Sequence, residues 1–281
     1  MKNKFSLLLA LVNIFGCIAS SYSQTIKGKV TDYETGQPLS YVNVGIPGKN
    51  RGTVTDTIGT FELTLPNETE SDSLVLSLIG YESVKIPIQQ MNRQEFFQFR
   101  LKQHTYQMQE VMVSSKRYKF EKLGNQVQSK RKKVGIGRDQ LGAELGTLIQ
   151  LGSKPAYLEK ASFYIAKNDY GKIRLRLNVY SFKDGSPGES LLNKPVYIET
   201  DIKVGLWTVD LAEHNIALQG DFLVSLEYIQ DMGFQGLYFS FDFNNAPSYL
   251  KATSQAEWKK IEHNGRSVGA SFLVVVSYQK E

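Results

Sequence analysis

Apolar residues recur at every second or fourth position from Ile26 to Val30, the spacing of a strand with one buried face. Asp32-Tyr33-Glu34-Thr35-Gly36 breaks the pattern with turn chemistry, and Pro38 leads into Tyr41–Ile46, where alternation returns. Pro47-Gly48-Lys49-Asn50 is a second turn. Gly52–Thr55 and Thr60–Leu65 read as short strands joined by a hairpin loop at Asp56–Gly59. Ser73–Leu78, Ser83–Ile88, Phe96–Leu101 and Gln109–Val113 extend the series.

From Leu141 onward, apolar runs return at the intervals of a β-sandwich. Expected strands are 143–151, 158–166, 173–181, 196–200, 205–211, 222–228, 237–243, 257–261 and 271–278, with turns at 168–171, 184–188 and 264–265. Arg174-Leu175-Arg176-Leu177-Asn178-Val179-Tyr180 alternates cleanly, which predicts one face in water. Phe272–Val276 does not alternate and predicts burial on both faces. No long helical period occurs. The pattern predicts an all-β chain whose second half is a β-sandwich, jelly-roll-like in arrangement. An outer-membrane barrel is disfavoured: charges fall on would-be lipid faces, the last strand runs into Gln279-Lys280-Glu281, and long and short loops do not alternate.

The N-terminal motifs occur in one order: Gly28, Val30, Asp32, Thr35-Gly36, Pro38-Leu39, Val42, Val44, Gly52–Asp56, Gly59, Phe61, Leu63 and Leu76–Tyr81. Over about residues 25–113 this series resembles the carboxypeptidase regulatory-like domain, a transthyretin-like β-sandwich. In carboxypeptidases that domain is an accessory. In Bacteroidetes-type bacteria it also precedes outer-membrane nutrient receptors, so the resemblance implies a fold and a setting rather than a peptidase. About 165 residues follow Ser115, too few for a receptor barrel of ~22 strands at ~10 residues each. The second half is loosely similar to secreted bacterial sandwich domains through its G-x-x-L-G-T and R-x-R-x-x-x-Y segments.

The first 23 residues read as a secretory signal, with Lys2 and Lys4 before an apolar run from Phe5 to Ile18 and small residues ahead of Gln24. The run falls short of the ~20 apolar residues a span needs. Cys17, the one cysteine, allows a second reading as a lipidated residue. The expected organisation is therefore 1–23 signal peptide, 24–114 regulatory-like sandwich, 115–140 basic linker and 141–281 second sandwich. Lys116, Arg117, Lys119, Lys122, Lys130, Arg131, Lys132 and Lys133 face one acid, Glu121. The segment reads as a solvated linker, with peripheral contact to an anionic membrane through Lys116–Lys133 as its functional alternative. A net charge of +5, falling to +3 without the leader lysines, and sparse aromatic interleaving argue against nucleic acid.

Catalytic chemistry leaves little trace. His104, His214 and His263 begin neither H-x-x-E nor H-E-x-x-H, and there is no G-x-S-x-G elbow or phosphate-cradling loop. Paired acids for glycan hydrolysis can converge from distant strands, with Asp201, Asp210, Asp221, Glu227, Asp231 and Asp242 available, but no pair stands out. Trp207, in an alternating strand, reads as core. Tyr170, Phe234 and Tyr249 in expected loops, with Trp258, are the candidate contacts for a ligand such as a glycan. No catalytic, metal or cofactor residue is expected. The sequence points to an exported, non-catalytic, envelope-associated binding or scaffold protein engaging a protein or glycan. The alternatives are a glycan hydrolase and an outer-membrane lipoprotein accessory to a nutrient receptor.

Overall fold

The alternating segments at the start of the chain form seven strands: β1 (Gln24–Asp32), β2 (Asn43–Gly45), β3 (Gly52–Val54), β4 (Thr60–Leu65), β5 (Ser73–Ser77), β6 (Val84–Pro87) and β7 (Phe97–Leu101). They build two sheets, ordered β4-β1-β7 and β3-β2-β5-β6, with β7 parallel to β1 and every other pairing antiparallel. Ile26, Val30, Leu63 and Phe99 from one sheet meet Val44, Leu74 and Leu76 from the other in a single core. These observations come from a computed structural model that describes residues 24–66, 71–91, 96–104, 118–136, 140–233, 236–243 and 245–279. The expected leader with Cys17, the strand at 109–113 and the basic residues Lys116 and Arg117 lie outside those residues.

Two aspartates explain the spacing of the N-terminal motifs. Asp32 Oδ1 accepts the Glu34 and Thr35 amides at 2.9 and 2.8 Å and the Thr35 hydroxyl at 3.0 Å, fixing the turn in which Gly36 has a φ of 69°. Asp32 Oδ2 accepts the Tyr81 hydroxyl at 3.0 Å, tying that turn to the end of the I-G-Y motif. Asp56 accepts the Ile58 and Thr60 amides at 3.0 and 2.8 Å and the Thr60 hydroxyl at 2.5 Å, which closes the turn between β3 and β4; the two strands lie in different sheets, so the hairpin expected at Asp56–Gly59 is instead a crossover from one sheet to the other. Gly59 there has a φ of 77°, and a Cβ would run into Val30 O, so only glycine fits.

The rest of the chain begins with β8 (Tyr118–Gly124), β9 (Lys133–Gly135), β10 (Glu144–Ile149), β11 (Ala156–Asn168) and β12 (Ile173–Lys183). It continues with β13 (Ser186–Ser190), β14 (Val196–Thr200), β15 (Gly205–Asp210), β16 (Ile216–Leu218), β17 (Phe222–Tyr228) and β18 (Leu237–Asp242). It ends with β19 (Ser248–Lys251), β20 (Trp258–Lys260), β21 (Glu262–His263), β22 (Arg266–Ser267), β23 (Gly269–Ala270) and β24 (Phe272–Gln279). One sheet follows the order β13-β12-β17-β10-β19-β20, with β14 also on β12; the other follows β23-β18-β11-β24-β8, with β9, β15 and β16 attached. Leu145, Leu177 and Val224 from the first face Phe163, Phe239, Phe272 and Val274 from the second, so this half is a second β-sandwich. No helix among the described residues is long and apolar enough to cross a membrane.

Three further expectations need correction. Within the basic segment expected to be a linker, Tyr118–Gly124 is a strand bonded along its length to β24, and Lys133–Gly135 pairs with β18. The cluster at 184–188 is a turn only at Asp184-Gly185, beyond which Ser186–Ser190 returns as β13. Phe272, Val274 and Val276 are fully buried while Leu273 and Val275 are half-buried, so β24 does alternate; its second face is screened by neighbouring elements rather than sealed.

Candidate functional site

The largest departure from the sequence reading lies on β12. The middle of the face predicted to be wet is buried, with Arg176 2% and Asn178 1% exposed, while Arg174 and Tyr180 at its ends are half-buried. What covers it is the N-terminal sandwich. Arg176 donates at 2.7 Å to the Tyr41 carbonyl and at 2.7 Å to Asn43 Oδ1, and both Nε and a terminal nitrogen reach Glu227 Oε2 at 2.8 Å. Asn178 Nδ2 spans two carboxylates, donating to Glu144 Oε1 at 2.7 Å and Glu227 Oε2 at 2.8 Å. Lys251 meets Glu144 Oε2 at 2.5 Å, and the Ser225 hydroxyl donates to Glu144 Oε1 at 2.5 Å. The cluster thus holds two acids and two cations, all at most a tenth exposed.

Its electrostatics follow from that balance. Burial works against the charge on Glu227, but the Arg176 guanidinium, Lys251 and the bonds from Arg176 and Asn178 outweigh it and hold the carboxyl below its ordinary value. Burial likewise opposes the charge on Arg176, and Glu227 more than compensates, raising its proton affinity. Burial, then Glu144 and Glu227, push the Tyr180 phenol well above its usual range. A carboxyl held charged in this way, as Glu227 is, makes a poor proton donor near neutral pH.

Tyr41 is the centre of the seam on the N-terminal side. It takes a left-handed φ of 60°, which costs a non-glycine residue local strain. In return it presents its carbonyl to Arg176, its hydroxyl to Gln230 Nε2 at 2.9 Å and its ring edge to Tyr197 at 5.2 Å. Arg174 lies over both rings, 5.8 and 5.4 Å from their centroids.

A second attachment sits at the end of the β2–β3 hairpin. The Ser254 hydroxyl lies 2.9 Å from Val44 O and 2.6 Å from Thr53 O, and donates its proton to one or the other. Thr253 does the same between Gly52 O and Leu141 O, each at 2.9 Å. Gly45, Gly52 and Gly142 converge here, and a Cβ on any of them would lie within 3.0 Å of Ser254. Gln255 adds a bond to Ser77 Oγ at 2.7 Å.

Beside this seam runs an open groove of about 780 Å³, walled by Thr55–Thr57 and Thr60–Glu62 of the N-terminal unit and by Leu141 and Ile229–Asp231 of the second. Asp56, Glu62 and Asp231 are its acids and Lys27 its cation; Phe96, 49% exposed, stands at its rim. It shares Thr53, Glu62 and Leu141 with an adjoining recess of about 280 Å³ that reaches Thr64 and Thr253.

The residues singled out from sequence fare differently. Tyr170 lies in the turn between β11 and β12, half-buried, its hydroxyl donating to Gly233 O at 3.2 Å. Tyr249 is not in a loop: it is 7% exposed on β19, its ring 5.2 Å from Phe182, because the short strand carries it into the sheet. Trp258 is half-buried on β20, 5.8 Å from the Tyr180 ring with the Lys251 ammonium 5.0 Å from its centroid. Tyr249 and Trp258 therefore share one aromatic cluster, which Tyr170 does not join. Phe234 lies outside the described residues. Trp207 is core, 6% exposed beside Phe163.

The acids considered for glycan hydrolysis are dispersed among separate partners. Asp210 pairs with Lys160, Asp242 with Lys132, Asp221 accepts the Leu151 and Gly152 amides, and Glu227 is sealed with Arg176. No cluster of three or more His, Cys, Asp or Glu suited to a metal occurs among the described residues. The sequence reading missed Glu144, Ser225 and Lys251; Glu144 alone carried a signal, as a charge inside an otherwise apolar run.

Comparisons with known proteins bear on the N-terminal third of the chain. Over 88 residues the chain is 39% identical to the TonB-dependent receptor SusC of Bacteroides thetaiotaomicron, a match covering 31% of this chain and 8% of the receptor's length. Among solved structures, the cysteine protease and lectin-like domains of Cwp84, a surface-layer-associated protein of Clostridium difficile, align over 85% of this chain and 59% of that one, at 8% identity and a TM-score of 0.36. A putative membrane-associated protein of unknown function from Bacteroides fragilis aligns over 92% and 95% at 11% identity and a TM-score of 0.23. Scores this low bear on neither fold nor function. The CarboxypepD_reg-like domain family matches residues 26–113, the region in which the motif order, the two sheets and the Asp32–Tyr81 tie coincide. The N-terminal third of the chain is a carboxypeptidase regulatory-like domain of the Bacteroidetes type.

Proposed function

We propose that this chain is an exported, envelope-associated binding or scaffold protein without catalytic activity, whose regulatory-like domain is clamped to a second sandwich so that the groove between them receives a protein or glycan of the cell envelope. The observation that carries this reading is the Arg176–Glu227–Asn178–Glu144–Lys251 cluster. It engages both buried acids with internal partners, Glu227 through the Arg176 that grips Tyr41 and Asn43 of the N-terminal unit and Glu144 within the second sandwich, while the neighbouring groove keeps acids, hydroxyls and an aromatic rim open to solvent. Recognition needs such a preformed, mixed surface on a rigid frame.

A second reading, an accessory to an outer-membrane nutrient receptor, draws on the 39% identity with a segment of SusC. The same experiment addresses both. A photo-crosslinking residue at Asp231 in intact cells is expected to capture one envelope protein or glycan, and the same residue at exposed Val204 is not. Capture of an outer-membrane receptor selects the second reading. Fractionation of the protein with the cytoplasm, or hydrolysis of an envelope polysaccharide by the purified protein, overturns the first.

A further inference from the structure

The strand β4 is the outer strand of its sheet, paired with β1 on one side. The Val30 amide bonds to Gly59 O at 2.8 Å, which continues the β1–β4 register. Hydrogen-bonded positions alternate along an antiparallel pair. Phe61 and Leu63 therefore direct their main-chain groups at β1, and Thr60, Glu62 and Thr64 direct theirs outward. Thr60 is already closed on Asp56, whose carboxylate takes its amide and whose own amide donates to its carbonyl, both at 2.8 Å. Glu62 and Thr64 are left with two N–H and two C=O groups that find no partner among the described residues.

Those four groups open into the space between the two halves. Glu62 lines the large groove, and Glu62 and Thr64 line the recess beyond it. Leu141 and Ile229 supply an apolar wall on the far side. Lys27 is tied to Glu62 at 3.0 Å, while Asp231 has no ion pair among the described residues. The site thus offers main-chain donors and acceptors in strand register, an apolar wall and a surplus of negative charge. An exposed strand edge of this kind is a template for one more strand.

We propose that the β4 edge takes up an extended peptide segment of a partner protein, with a lysine or arginine side chain directed at Asp231. This deepens the binding reading above and rests on it. The main-chain bonds at Glu62 and Thr64 supply affinity; Asp231 and the Leu141–Ile229 wall select alternate side chains.

The test uses a displayed library of random short peptides selected on the intact protein. Enriched peptides are expected to alternate apolar residues with Lys or Arg. Glu62→Pro removes an outward amide without touching the β1 ladder, a substitution edge strands tolerate. It is expected to weaken the selected peptides about tenfold while the melting temperature holds, as loss of one or two main-chain bonds requires. Glu62→Ala, which keeps the amide, is expected to bind within about twofold of wild type, and Asp231→Lys to lose about tenfold. Enriched peptides that bind Glu62→Pro as well as wild type, or a library that yields nothing above the Glu62→Pro background, overturn the proposal. A partner captured from Asp231 in cells alongside a failed library removes strand addition and leaves the binding function standing; failure of both removes both.

Discussion

Asp32 and Glu227 are both carboxylates held below their ordinary proton affinity, by opposite means. Asp32 is stabilised locally: the Thr35 amide contributes most, burial opposes it, and the Thr35 hydroxyl, Tyr81 and the Glu34 amide add the remainder. Three of its four bonds come from residues within three positions of it. Glu227 is stabilised remotely, by Arg176 fifty-one positions earlier and by Lys251 on another strand, against full burial. The N-terminal unit thus uses charge to write turns, and the second unit uses charge to bind itself to its neighbour. A turn acid can be lost at modest cost. A buried acid whose counterion is removed has nowhere to place its charge.

That difference sets the size of the expected effects. Arg176→Met leaves Glu227 buried and unpaired and is expected to cost about 3–5 kcal/mol, read by urea denaturation. The double variant Arg176→Met with Glu227→Leu is expected to recover most of that loss; a double variant as weak as the single would show that the contacts to Tyr41 and Asn43, rather than the charge, dominate. Gly52→Ala places a methyl group against Ser254 and is expected to cost about 1–3 kcal/mol. Its hydrogen exchange should quicken at Val44 and Thr53, beside Ser254, before it does in the β10–β17 ladder. Tyr81→Phe removes one bond to Asp32 and is expected to cost about 0.5–1.5 kcal/mol without opening the seam. If Tyr81→Phe proves as damaging as Arg176→Met, the contrast between local and remote charge fails.

Acidification has the mildest effect until carboxylates titrate. Both carboxyls are held below their ordinary values in the folded state, Asp32 chiefly by the Thr35 amide and Glu227 by Arg176 against its burial. The stability each contributes is therefore complete above its unfolded value and is lost as pH falls through the folded one. Melting temperature is expected to stay level from neutral pH down to the ordinary carboxylate range and to drop below it. In Arg176→Met the buried Glu227 loses its main stabilising charge, so that variant is expected to gain stability as pH falls toward the same range, a reversal of sign.

Much of this architecture was legible because it is local. The strands at 196–200 and 222–228 end at the residues that periodicity indicated, and the Asp32, Gly36 and Tyr81 motif is a set of hydrogen bonds visible as spacing. What was not legible concerns who covers whom. Alternation in Arg174–Tyr180 reports that one face is polar, but water and a second polar surface leave the same signature; only the Tyr41 and Asn43 acceptors reveal which it is. Tyr118–Gly124 resembled a linker because it belongs to a run of basic residues, and six of its seven residues are indeed exposed, including Phe120 at 60%. Its order comes from main-chain pairing with β24, to which composition is blind. Tyr249 follows a run of loop-forming residues, and a four-residue strand gives periodicity too little length to register.

The crowding of Gly45, Gly52 and Gly142 around Ser254 has a bearing on engineering. A regulatory-like cassette grafted from another protein in place of residues 26–113 would need hydrogen, and nothing larger, at the first two of those positions, and an acceptor pair where Tyr41 and Asn43 stand. Swapping modules here is a matter of cutting a key rather than exchanging beads on a string.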